Sequence, residues 1–395
     1  MRTILVVGAL ALGVLFVSGC GSSGDTTTST TGTTGTTASG DPVRIGLEGP
    51  LSGEQQVTGV GMLHGAELAA QELNAKGGIA GRPVKIVAID DAADAKTGVK
   101  AANAAIAAGL DGVVGPYNSG VGVDTLPLYD KAGLVPIRLT SDSVTNGMGF
   151  TLQPMDYQIA PVASKALTTW LKAKSVAIAY DPTQNYTVSV SSALRKSLEK
   201  DGVKITAFEK VDPGKKDYTS LVKKLAATDP DVIYAATYFP EGGLIAKEMA
   251  QSKVKARCVA DYASADPGFV TTAGQAAAEK CPVVGVPGPG DFPDAKAFVS
   301  DYEKKFSTAP GTWSPYTYDS VNLLAQAVEK AGGFDKAKLT DVLKATKAWP
   351  GITGPVTIDP ANGNREPATV VLLDTTADGK LKVDQDWATA VGAPY

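Results

Sequence analysis

The chain has 395 residues, with 41 acidic against 37 basic side chains and a formal net charge of −4. That balance lacks the basic footprint of a nucleic-acid partner. A histidine-based triad would have to use the single histidine, His64, whose expected role is structural or at the surface; no Cys/His pattern has zinc spacing, and no Gly-x-x-x-x-Gly-Lys-Ser/Thr phosphate loop is present. The sequence therefore points away from an ATPase and from metal or triad catalysis. No catalytic residue, metal or cofactor is expected.

The elements begin with residues 4–17, an uncharged apolar run after Arg2. It is too short to span a bilayer comfortably and reads as the core of a secretory signal. It ends in Val17-Ser18-Gly19-Cys20, which resembles a bacterial lipobox. Residues 1–20 are thus expected to be a lipoprotein signal peptide with Cys20 the lipidation site. An ordinary signal peptide with an incidental cysteine is the alternative. Residues 21–40 are almost wholly Thr, Ser and Gly and cannot form a core, so they read as a tether. A tether on one lipidated cysteine keeps an exported domain at the membrane surface.

After the tether, residues 43–47 form an apolar strand broken by Gly49-Pro50 and Ser52-Gly53. A helix over 60–76 carries an apolar stripe and stops at Gly77-Gly78. A second strand, 84–89, ends in Asp90-Asp91, and Asp94 is placed to cap a helix over 95–108. Strand, glycine-rich loop, helix and strand make one right-handed unit of a parallel sheet, and such sheets bind ligands off the carboxyl ends of their strands. Gly59-Val60-Gly61 hints at a dinucleotide loop, but the third glycine, Gly65, comes one residue late.

Alternation of strand and helix continues. The strand 112–115 leads into Pro116-Tyr117-Asn118-Ser119, and 134–139 into Thr140-Ser141-Asp142-Ser143. The strand 176–179 leads into a loop ending at Tyr186; Val232–Ala236 precedes Thr237-Tyr238, and Arg257–Ala260 precedes Asp261-Tyr262. Each strand end delivers hydroxyls, a carboxylate or a ring, which is what a small polar solute requires. The competing reading is that these residues merely cap helices and turns. Cys258 and Cys281 are the cysteines left in an exported domain, so a disulfide is expected, with two buried thiols as the alternative.

The opening segment resembles the solute-binding proteins of branched-chain amino acid ABC transporters. The likeness rests jointly on Gly49-Pro50-Leu51-Ser52-Gly53, on Asn74-Ala75-Lys76-Gly77-Gly78-Ile79-Ala80-Gly81, and on Asp90-Asp91. It continues more loosely to about Val383. It implies the type I periplasmic binding protein fold: two doubly wound parallel-sheet lobes joined by three hinge crossings, closing on a small solute without catalysis. The expected first lobe is 41–153 with 287–351, the second 154–286 with 352–395. The third crossing is expected near 350–354, ahead of second-lobe strands at 355–358 and 369–373.

The same resemblance assigns roles. Ser119, with Tyr117 and Asn118 in its loop, would grip the ligand's α-carboxylate at a helix start. In Thr140-Ser141-Asp142 the first carbonyl would take the ammonium. Asp142 departs from the family's threonine and would repel a carboxylate. Either Ser141 or Ser143 replaces it, Asp142 points away, or the ligand is not a plain α-amino acid. Tyr186 and Tyr238 would cover the ligand, and Asp261 or Tyr262 would meet the ammonium, with Asp261 preferred. Thr58 stands where several members carry a large aromatic ring. The implied partners are an amino acid, the permease subunits and the membrane through the lipid anchor, with the protein a monomer. Alternatives are a short amide or urea, an aromatic acid, or a ligand-sensing lipoprotein serving a membrane receptor.

Overall fold

A computed structural model describes residues 40–391. The expected signal peptide, Cys20 and the expected tether up to residue 39 lie outside the described residues, as do residues 392–395.

The first half of the chain runs β1 (Val43–Gly49), α1 (Gln56–Ala75), β2 (Val84–Asp90), α2 (Ala95–Ala107), β3 (Gly112–Val114), α3 (Ser119–Lys131), β4 (Pro136–Arg138) and β5 (Phe150–Thr151). These five strands pair in the order β2-β1-β3-β4-β5, every neighbouring pair parallel. Val43, Ile45 and Leu47 of β1 have no exposed surface, as strands covered by helices on both faces require.

The chain then enters a second sheet through α4 (Asp156–Lys165), β6 (Ser175–Tyr180), α5 (Asn185–Lys200), β7 (Lys204–Lys210), α6 (Thr219–Ala226), β8 (Val232–Ala236), α7 (Phe239–Gln251), β9 (Arg257–Ala260), α8 (Pro267–Ala273), α9 (Gln275–Ala278) and β10 (Val283–Gly285). The order β7-β6-β8-β9-β10 repeats that of the first sheet. The chain returns to the first lobe with α10 (Lys296–Phe306), α11 (Ser314–Ala331) and α12 (Lys336–Lys344). A small hairpin follows, β11 (Trp349–Gly351) with β12 (Gly354–Val356). Last come β13 (Val371–Thr375), β14 (Leu381–Val383) and α13 (Gln385–Ala390), which add two antiparallel strands to the second sheet's edge.

The expected second-lobe strand at 355–358 is a correction. That segment pairs with β11, and the chain joins the second sheet only at Val371. Buried polar groups explain it. The carboxylate of Asp319 on α11 accepts from the amides of Ile352 and Thr353 at 3.0 and 2.9 Å. The guanidinium of Arg365 donates to the carbonyls of Leu152, Thr353 and Pro355 at 3.2, 2.9 and 3.1 Å. Apolar patterning carries no trace of such ties.

Two glycines of the apparent dinucleotide fingerprint have another use. A Cβ on Gly65 would sit 2.1 Å from the Ser314 carbonyl, and one on Gly61 would sit 3.2 Å from the Ser314 hydroxyl. Bare helix surface at these points lets α1 lie against α11. His64 on the same helix stacks on Phe306 with ring centroids 4.0 Å apart, a packing role.

Cys258 in β9 and Cys281 just before β10 are joined by a disulfide across neighbouring parallel strands, with Cα atoms 4.6 Å apart and a sequence separation of 23. Closing a loop of that length contributes about 3 kcal/mol. Peptide mass spectrometry of the unreduced exported protein should show the pair linked. Cys258→Ala should lower the unfolding free energy by about that amount; two alkylatable thiols in the native protein would count against both.

Candidate functional site

The carboxyl ends of both parallel sheets face one cleft. A small cavity there is lined by Tyr117, Ser119, Leu139, Ser141, Gln153, Tyr186, Tyr238, Tyr262 and Ala263. Six of these are residues singled out from the sequence: Tyr117, Ser119, Ser141, Tyr186, Tyr238 and Tyr262. Ser119 opens α3, where the first amides lack partners within the helix. Its Oγ accepts from the amides of Ser141 and Asp142, both at 3.2 Å. That leaves the hydroxyl proton free to donate.

The walls are aromatic. Tyr117 meets Tyr238 across the cleft with centroids 6.0 Å apart and lies 5.6 Å from Trp313. Trp313 in turn lies 5.2 Å from Tyr262, which is 5.9 Å from Tyr186. Burial holds the phenols of Tyr117, Tyr186 and Tyr262 well above their usual pKa, so they stay protonated. One buried hydrogen bond crosses the cleft directly: Thr58 Oγ1 donates to Asp266 Oδ2 at 2.6 Å.

Four expected contacts lie behind this lining. Asp142 is turned away: its Oδ1 accepts from the Val144 amide at 2.9 Å and caps a short turn. Asp261 has no exposed surface, and Tyr186 and Tyr262 stand in front of it on the cavity wall. Its Oδ1 accepts from Tyr234 Oη at 2.5 Å and its Oδ2 from the Ala263 amide at 3.2 Å. Burial raises its pKa against the pull of those donors. The Thr140 carbonyl accepts from Arg138 Nη1 at 3.0 Å. Asn118 donates to Gln55 Oε1 at 3.1 Å. Both aspartates follow a strand and start a tight turn, so the capping reading of such residues holds for this pair.

Leu139, Gln153, Ala263 and the ring of Trp313 were not anticipated. Gln153 sits in the sequence as an ordinary crossing residue, and Trp313 precedes α11 far from any strand end. Only the paired crossing of the chain brings them in.

Behind α2 and α3 lies a buried acidic pair. Glu48 and Asp91 have no exposed surface. Glu48 accepts from Thr125 Oγ1 at 3.1 Å and Asp91 from the Ala93 amide at 2.8 Å. Burial, then the charge of Asp91, pushes Glu48 well above the usual carboxylate range. Burial pushes Asp91 to about 7 against the Ala93 amide. The neighbouring Asp90 does different work: its Oδ1 accepts from the amides of Leu51, Ser52 and Ala92 and fixes the loop after β1.

Two doubly wound lobes with a ring-walled cleft and a helix start at its floor define a two-lobed binding protein. The chain belongs to the periplasmic binding protein family, whose model matches residues 42–379. It has the type I fold of that family, which implies an extracytoplasmic location. The Leu/Ile/Val-binding protein homolog 1 of Brucella melitensis is 30% identical over 355 residues, covering 87% of this chain and 93% of that protein. The leucine-, isoleucine-, valine-, threonine- and alanine-binding protein of Pseudomonas aeruginosa is 28% identical, covering 77% of this chain and 83% of that one. Among solved structures, the branched-chain amino acid transporter binding protein LivJ of Streptococcus pneumoniae, in complex with isoleucine, superposes with a TM-score of 0.79. It is 26% identical, covering 87% of this chain and 99% of that one.

Proposed function

We propose that the protein is the solute-binding component of an ABC importer that captures an amino acid, branched-chain or similar, between its lobes and delivers it to a permease. The observation that carries the reading is the pairing of Ser119, at the start of α3, with a wall of tyrosine rings contributed by both lobes. The helix start and the hydroxyls of Ser119 and Ser141 suit a carboxylate. The rings of Tyr117, Tyr186, Tyr238 and Tyr262 suit an aliphatic side chain. The names of the relatives support an amino acid. The cleft binds and releases; it performs no chemistry. A thermal-shift series of the tag-free domain against amino acids, amides and aromatic acids tests this. A ligand at a hundred times its dissociation constant adds about 2.7 kcal/mol. A response to aromatic acids or urea with none to amino acids would replace the ligand assignment.

The lobes turn about three crossings, and closure brings Thr58 onto Asp266. Thr58→Val removes the donor to a buried carboxylate and should weaken solute binding by about 2 kcal/mol, mainly through faster release. Stopped-flow dissociation rates check this; an unchanged release rate would remove the bond from the closing mechanism.

The mature protein is held at the membrane by a lipid on Cys20 and acts as a monomer. Cys20→Ala should abolish membrane retention and leave solute binding intact. Equal incorporation of labelled fatty acid into the variant would refute the anchor.

A further inference from the structure

Gln153 lies on the first crossing between the lobes, is 1% exposed and lines the cavity. Its Nε2 donates to the Leu139 carbonyl and, at 2.9 Å, to Ser141 Oγ. A carbonyl only accepts, so the amide cannot be turned round, and Oε1 must face the other way. That oxygen is buried with no hydrogen-bond partner. A buried acceptor left unmade costs free energy, so such groups mark a missing donor.

The acceptors that the resemblance offers to a ligand ammonium are engaged. The Thr140 carbonyl holds the Arg138 guanidinium, a cation that no ion pair neutralises among the described residues. The Asp261 carboxylate is bound by Tyr234 and Ala263 behind the cavity wall. Tyr186 Oη and Tyr262 Oη, both on the lining, also lack partners in ordinary hydrogen-bond geometry, though Asp261 and Ser141 lie near them. No lysine or arginine lines the cavity, and tyrosine faces attract cations.

We infer that Gln153 is a specificity-determining residue that reads the bound solute's ammonium through Oε1. The inference rests on the amino acid reading above and adds to it. The same amide braces Leu139 and Ser141, so the solute, the carboxylate-side loop and the first crossing form one hydrogen-bonded chain. Binding is then coupled to the angle of the crossing.

Calorimetry with two probe pairs tests this: L-leucine against 4-methylpentanoate, and L-alanine against propanoate. Each second member lacks only the amine. The wild type should prefer the amine, and Gln153→Leu should shrink that preference about tenfold. Gln153→Met, which keeps the length of the side chain, should shrink it likewise and stands in if the leucine variant does not fold. A purely bracing role would lower the affinity for both members equally, and an unchanged preference in either folded variant would overturn the inference while leaving the amino acid reading intact. If the wild type bound none of the four, the amino acid reading itself would fail and this inference with it.

Discussion

Asp91→Asn should remove about 4 kcal/mol of the loss of stability between pH 4 and pH 8. Asp91 is fully buried, and its carboxyl is pushed from 3.8 to about 7. The folded state therefore holds a proton that the unfolded chain has already released. Its contribution to stability is complete below about pH 4 and is lost as the pH rises through about 7. A displacement of that size corresponds to about 4 kcal/mol at pH 8. Asparagine keeps an oxygen for the Ala93 amide and has no proton to lose. Urea unfolding at pH 5 and pH 8 should show a smaller fall for the variant than for the wild type. Glu48, also held well above the usual carboxylate range by burial, should show the same sign of effect as Glu48→Gln. Parallel pH profiles for wild type and variant would mean that the pair is not protonated in the folded protein.

Asp261→Ala should destabilise the second lobe by about 4 kcal/mol, because it strands two buried donors, the hydroxyl of Tyr234 and the amide of Ala263, at 1–3 kcal/mol each. Asp261→Asn retains acceptor oxygen and should cost less than half of that. Solute affinity should fall with the alanine variant, since Tyr186 and Tyr262 rest against this residue. Calorimetry alongside thermal unfolding separates the two effects. A stability loss with wild-type affinity would make Asp261 a brace for the turn, with no share in holding an ammonium.

Much of the site was legible because strands in a parallel sheet announce their own ends. An apolar run that stops at Pro116, Thr140 or Thr237 places the next side chains at the cleft, and Ser119, Ser141 and Tyr238 are where that logic puts them. The logic does not say which way a side chain turns. Asp142 and Asp261 end strands too, but a carboxylate beside free turn amides satisfies them first. Trp313 and Gln153 were hidden for another reason: they arrive from segments whose neighbours in space are distant in sequence. The segment 355–358, expected as a second-lobe strand, belongs instead with the β11–β12 hairpin because Asp319 and Arg365, which decide where it goes, look like ordinary surface charges in the sequence.

The repeated strand order has a consequence for how the cleft reads its solute. Matching β1 to β6, β3 to β8 and β4 to β9 makes the lobes two copies of one winding facing each other. Ser119 at the start of α3 then corresponds to Phe239 at the start of α7, and Asp142, which caps the turn after β4, to Asp261, which caps the turn after β9. The backbone offers the same two seats twice. Both lobes fill the turn seat with an aspartate, but at the helix start the first lobe has a hydroxyl and the second a ring. A symmetric frame thereby acquires one helix start with a hydroxyl and one without, which would give a solute with an anionic end a preferred way to lie between the lobes. The preference would rest on that one pair, and exchanging its occupants, Ser119→Phe with Phe239→Ser, should turn the solute end for end without redrawing the fold.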